Sequence, residues 1–165
     1  YYNAVLYGVF AAVNKSFGSY GSSVVKNASL RILEYAVKCG WSVPPKSKDP
    51  LKALREFFDH FAALGYAESV TFTRKGEDVV CEVKGLRQWN SVAELRDLHY
   101  PTLPIFLVEL VTAFLDQFFK MTVAAEPLQV DEEKRSLSFK FSYRSKFESV
   151  APLAIPESRP LELDE

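Results

Sequence analysis

The chain has 165 residues, which suits one domain able to bury roughly two thirds of the surface its unfolded form would expose. Apolar residues make up 48% and charged residues 25%, as in an ordinary globular protein, but 13 Phe and 8 Tyr call for an aromatic core. Net charge is −1 with Lys and Arg spread along the chain, so there is no basic stripe to neutralise phosphates, and nucleic acid is not an expected partner.

From Tyr2 to Val13 no residue is charged, and AVLYGVFAAV is apolar on every side of a helix. Such a helix is expected to be buried on several faces. SFGSYGSS, at Ser16 to Ser23, reads as a turn, with Ser22 or Ser23 placed to cap a second helix that runs to about Cys39 and stops at Gly40. On that helix Val24, Val25, Ala28, Ile32, Tyr35, Ala36 and Cys39 fall in one stripe, the expected core face. Leu30, Leu33 and Val37 fall on another side, set apart by Ser29, Lys26, Glu34 and Lys38. They are the expected interface of a homodimer formed through the first two helices.

SVPPKSKDP is a loop ending in a helix start, where Asp49 can cap and Pro50 takes the first position without losing a hydrogen bond. Leu51, Leu54, Phe57, Phe58, Phe61 and Leu64 then repeat at helical spacing until Gly65. Two alternating runs, Ser69 to Arg74 and Val79 to Lys84, predict a hairpin in which Val70 and Phe72 face Val79, Cys81 and Val83. A short helix at about Val92 to Leu98 and the loop His99-Tyr100-Pro101 lead to a long helix over roughly Leu103 to Met121. A second strand pair follows, around Thr122 to Val130 and Leu137 to Tyr143, across the turn Asp131 to Arg135. Residues 1–149 are expected to form a single domain, and 150–165, with three prolines and no periodicity, a flexible tail. The order predicts an α+β fold: an antiparallel four-stranded sheet of two strand pairs, packed against four to five helices.

Cys39 and Cys81 lie far apart within apolar patterns and read as reduced thiols, which points to the cytoplasm. The longest apolar stretch, Leu103 to Phe119, includes Glu109, Thr112, Asp116 and Gln117 and falls short of the roughly 20 apolar residues of a membrane span. The chain begins at Tyr1 without methionine, as a piece of a longer protein would.

No catalytic constellation is visible. His60 and His99 are the two histidines; His60 sits beside Glu56 and Asp59 on the expected polar side of its helix, and His99 lies in a loop. Without several converging donors, neither metal nor cofactor is expected. Cys81 points inward on a strand and reads as structural, and Gly18 and Gly21 lack the strand and further glycines of a nucleotide fingerprint. The long helix has a single polar stripe at Glu109, Thr112, Asp116 and Lys120, and the rest of its surface is more apolar than one sheet can cover. It is sandwiched between layers, lines a cavity or binds a partner along its length. In the second case an apolar ligand sits against the helix that starts at Pro50, among Phe57, Phe61, Phe106, Leu110 and Phe114, with His99 or Tyr100 at the mouth.

With this order of elements, the runs EFFDHFAALGYAESVTFTRKGEDVVCEV and LPIFLVELVTAFLDQFFKMTVAAEPLQVDEEKRSLSFKFSY give the chain a pattern that, from about Ala4 to Tyr143, resembles the 4-vinyl reductase domain superfamily. That superfamily includes the core subunits of the TRAPP vesicle-tethering particle. The resemblance implies a four-stranded antiparallel sheet with helices, dimerisation through the first helices, and an apolar cavity for a small hydrophobic molecule. Many relatives carry a glycine and cysteines before the final strand, where this chain reads EEKRSLSFKF, and the glycine that often follows an arginine in the second helix is absent after Arg31. Cysteine-dependent metal or redox behaviour is therefore not implied. The functional expectation is a binding module for a small hydrophobic molecule, a sensor or carrier; the alternative is an assembly subunit resembling those of TRAPP.

Overall fold

A computed structural model of the chain describes residues 2–18, 21–41, 44–87, 89–97 and 102–146. The clearest helix start in the sequence is realised in α3 (Pro50–Ala63): Asp49 Oδ1 accepts from the backbone N–H of Leu51 at 2.8 Å and of Lys52 at 3.0 Å. Its end is equally local. Gly65, at φ +80°, donates to Ala62 O, and Tyr66 N donates back to Phe61 O, which closes the last turn and drops the Tyr66 ring onto Phe61 at 5.6 Å. The second helix, α2 (Gly21–Cys39), ends in the same way: Gly40, at φ +69°, donates to Val37 O and Trp41 N donates to Ala36 O. Trp41 is thereby delivered to Phe61 as well, at 6.2 Å.

The hairpin of β1 (Ser69–Lys75) and β2 (Asp78–Lys84) turns through Gly76 and Glu77, with Val70 opposite Val83 and Phe72 opposite Cys81. The chain continues through α4 (Trp89–Asp97) and α5 (Thr102–Phe119), then β3 (Met121–Ala125), β4 (Gln129–Asp131) and β5 (Ser136–Ser145). The antiparallel sheet has the order β1-β2-β5-β3, and β4 also pairs β5. Five strands stand where four are expected, because the run from Thr122 to Val130 is broken. Ala125 pairs Phe141 but Gln129 pairs Ser138, so four steps on one strand match three on the other. Pro127, which has no N–H to donate, sits in that bulge.

One face of the sheet carries Val70, Phe72, Val79, Cys81, Val83, Leu137, Phe139 and Phe141, all buried beneath helices. Phe58 of α3 meets Phe72 at 5.3 Å, and Phe57 of α3 stacks on Phe114 of α5 at 5.0 Å, so sheet and helices share one aromatic core. The other face is wetter, with Thr71, Thr73 and Arg144 exposed and Lys140 bridging Asp78 and Glu126. Helix α2 packs along α5, and α1 (Tyr2–Phe17) packs chiefly on α4.

Two expectations are corrected here. The core stripe of α2 is Val25, Ser29, Leu33 and Ala36, whereas Ala28, Tyr35 and Cys39 are exposed. Ser29 enters the core because its hydroxyl donates to Val25 O at 3.0 Å, leaving no unmet donor. Leu33, expected at a dimer interface, is thus fully enclosed in its own domain at 0% exposure. Helix α1 is not buried on several faces: among its described side chains Ala11 and Val13 are half-buried and the rest exposed. The chain covers only part of its circumference.

Candidate functional site

Of the residues expected to line a cavity, Phe57, Phe61, Leu110 and Phe114 come together between α3 and α5, all buried. Their rings touch one another directly. Phe57 stacks on Phe114 at an interplanar angle of 27°, Phe61 closes on Phe57 at 5.1 Å, and Phe118 closes on Phe114 at 5.2 Å. Of the others, Phe106 lies on α5 but its side chain is outside the described residues, as are His99, Tyr100 and the segment 150–165.

His60 is not a solvated residue of a polar face. Its ring lies 5.8 Å from that of Trp41, and its buried Nε2 has no hydrogen-bond partner among the described residues. The sequence conceals this because Trp41 reaches His60 only through the turn that ends α2. Burial raises the Cys81 thiol far above its ordinary range, with the Glu82 charge adding to the effect, which favours the protonated form. Burial likewise raises the Tyr66 phenol, with Cys81 contributing. Among the described residues no group of three or more His, Cys, Asp or Glu could hold a metal ion.

On α5 the carboxyl of half-buried Glu109 is raised, first by desolvation, with the nearby Lys26 charge opposing. The rest of the polar stripe is also partly covered: Thr112 folds back on Val108 O at 2.9 Å, and Asp116 is half-buried. The polar side of α5 is thus partly covered at Glu109, Thr112 and Asp116 and open at Gln117.

The apolar surface left uncovered lies on α1 and α2. Tyr7, Val9, Phe17, Tyr35 and Val37 are five of the six large exposed apolar side chains among the described residues, the sixth being Leu64. Val9 is 54% exposed, Phe17 51%, Tyr35 58% and Val37 39%. Of the three expected interface residues, Val37 belongs to this exposed set, Leu30 is half-buried, and Leu33 is inside. Tyr35 was missed because its helical phase places it with the core stripe; in the fold its ring turns outward and meets Trp41 edge-on at 5.5 Å. No helix of the described residues is long and apolar enough to cross a membrane. No protein-family model matches the chain, and no curated protein matches it significantly.

Two expected outcomes follow. In a filled seam Phe114→Trp overpacks and lowers unfolding free energy by about 1–3 kcal/mol in urea titrations; a cavity that accepts the larger ring would give equal or higher stability. Glu109 has a folded pKa raised above its ordinary value of 4.5, so its favourable contribution is full below that pH and is lost as pH climbs through the raised value. Glu109→Gln should therefore raise the melting temperature slightly at pH 7 and flatten this part of the stability profile above pH 4.5. Unchanged pH dependence in the variant would contradict this assignment.

Proposed function

We propose that the chain is an assembly module that pairs with a second copy of itself through the outer sides of α1 and α2. The observation that carries this reading is the gathering of large exposed apolar side chains on these two helices, among them Val37 on α2 and Val9 and Phe17 on α1. Scattered single apolar residues need no explanation, but their concentration on adjoining helices does. The resemblance to TRAPP core subunits supports the same use of the first helices. Carriage of a small hydrophobic molecule, the other function implied by the resemblance, has less support, because Phe57, Leu110 and Phe114 are buried in one cluster and the rings of Phe57 and Phe114 stack on each other.

On α2 the interface centres on Val37, with half-buried Leu30, seven residues earlier on the same side of the helix, at its inner margin. Sedimentation velocity at micromolar concentration should give twice the monomer mass. Val37→Glu should weaken association by about a hundredfold without unfolding the monomer, because it places a charge in an apolar contact, whereas Tyr35→Glu, on the opposite side of α2, should leave association unchanged. Leu33→Glu should instead destabilise the monomer itself, since Leu33 is enclosed in its own core. A wild-type monomer at these concentrations removes the proposal.

A further inference from the structure

Two edges of the sheet carry devices that discourage an added strand. On β1, Arg55 of α3 donates to Phe72 O through Nε at 3.2 Å and through its guanidinium NH2 group at 2.7 Å, occupying a carbonyl that a new strand would use. The edge made by β3 and β4 is bulged around Pro127. A third edge has neither device. β5 runs to Ser145, but β2 pairs with it only as far as Phe141, so Ser142 to Ser145 extend past the tip of the β1–β2 hairpin. Glu126 N donates to Lys140 O at 2.8 Å and Lys146 N to Lys120 O at 3.0 Å, which turns the polar backbone groups of even-numbered β5 residues toward β3. By the alternation of an antiparallel ladder, the N–H and C=O of Tyr143 face the side that β2 has vacated.

A cleft of about 530 Å³ lies at this fork, lined by Arg74, Glu77, Ser142, Tyr143 and Arg144 among others. It adjoins a smaller one of about 190 Å³, with which it shares Ala124 and Ser142. The cations of the two clefts differ in how they are engaged. Lys140, in the smaller cleft, is offset by Asp78 at 3.0 Å and Glu126 at 2.9 Å. Arg74 donates to the hydroxyl of Tyr143 and lies over its ring at 5.5 Å, so the guanidinium is held in place, and among the described residues no carboxylate pairs with it. Arg144 is exposed and has no ion pair among the described residues. Glu77 supplies the one carboxylate lining the larger cleft.

We propose that this fork is a docking site for an extended, acidic peptide segment of a partner protein. The segment adds as a short strand beside Tyr143, and its carboxylates meet Arg74 and Arg144. The overhang from Ser142 to Arg144 is about 10 Å long, enough for three residues, and the hairpin tip ends the pairing at one side. The site lies on the sheet and is separate from the α1–α2 surface, so either can hold without the other.

Fluorescence anisotropy with the full chain tests it, using as probe a fluorescein-labelled heptapeptide with glutamate at every position, because Arg74 and Arg144 stand on opposite faces of the sheet and successive residues of an added strand face opposite ways. Saturable binding is expected, about tenfold weaker in Arg144→Glu at unchanged melting temperature, and lost when lysine replaces glutamate in the peptide. Strand addition should also slow hydrogen exchange at the Tyr143 amide when the peptide is bound. Absence of saturable binding, binding indifferent to Arg144→Glu, or binding that leaves the Tyr143 amide unprotected, which would mean charge attraction alone, each overturns the proposal.

Discussion

The stack of Phe57 on Phe114 joins α3 to α5, and most of the remaining architecture is arranged around it. From Phe57 the aromatic contacts run to Phe58, then to Phe72 on β1 and Phe141 on β5. From Phe114 they run to Phe118 and Phe119. Each such pair contributes about 0.5–1.5 kcal/mol beyond the area it buries, and the rings are stiff enough to define a single packing. Because α3 and α5 are locked together by rings, the sheet face beneath them is dry and α2 is held against the far side of α5. One consequence is chemical: burial of the Cys81 thiol beneath this layer favours its protonated form.

Much of this was legible in the residues. The caps at Asp49 and Gly65 delimit α3 because they act within four or five residues and need no tertiary partner. The alternation of Leu137, Phe139 and Phe141 with Ser138 and Lys140 predicts a strand with one buried face, and β5 has it. Periodicity failed where a polar residue satisfied itself locally. Ser29 reads as a divider on α2, yet its bond to Val25 O lets it enter the core, and the true stripe is rotated enough to take Leu33 inward and turn Tyr35 outward. The break at Pro127 was readable in principle, since proline inside a run of strand residues marks a bulge or an edge.

The candidate site was only partly legible, for a physical reason. Phenylalanines at helical spacing on two helices look the same in sequence whether they line a cavity or fill one; the fold shows which rings meet, Phe57 with Phe58 and Phe114 and Phe114 with Phe118, at 5.0–5.3 Å. Likewise, the charge-free first helix announces apolar contact without saying with what. In the fold that contact is incomplete: α4 and α2 meet part of α1, while Tyr7, Val9 and Phe17 remain exposed. Apolar surface that a chain leaves uncovered on adjoining helices is the usual raw material of an isologous interface.

The central claim is that the rings of α3 and α5 pack on one another and that exposed apolar side chains of α1 and α2 mediate pairing with a second copy. Native mass spectrometry of the purified protein measures both halves at once. The account predicts a species of twice the chain mass with no additional small molecule retained. A monomer carrying a stoichiometric lipophilic adduct would contradict it.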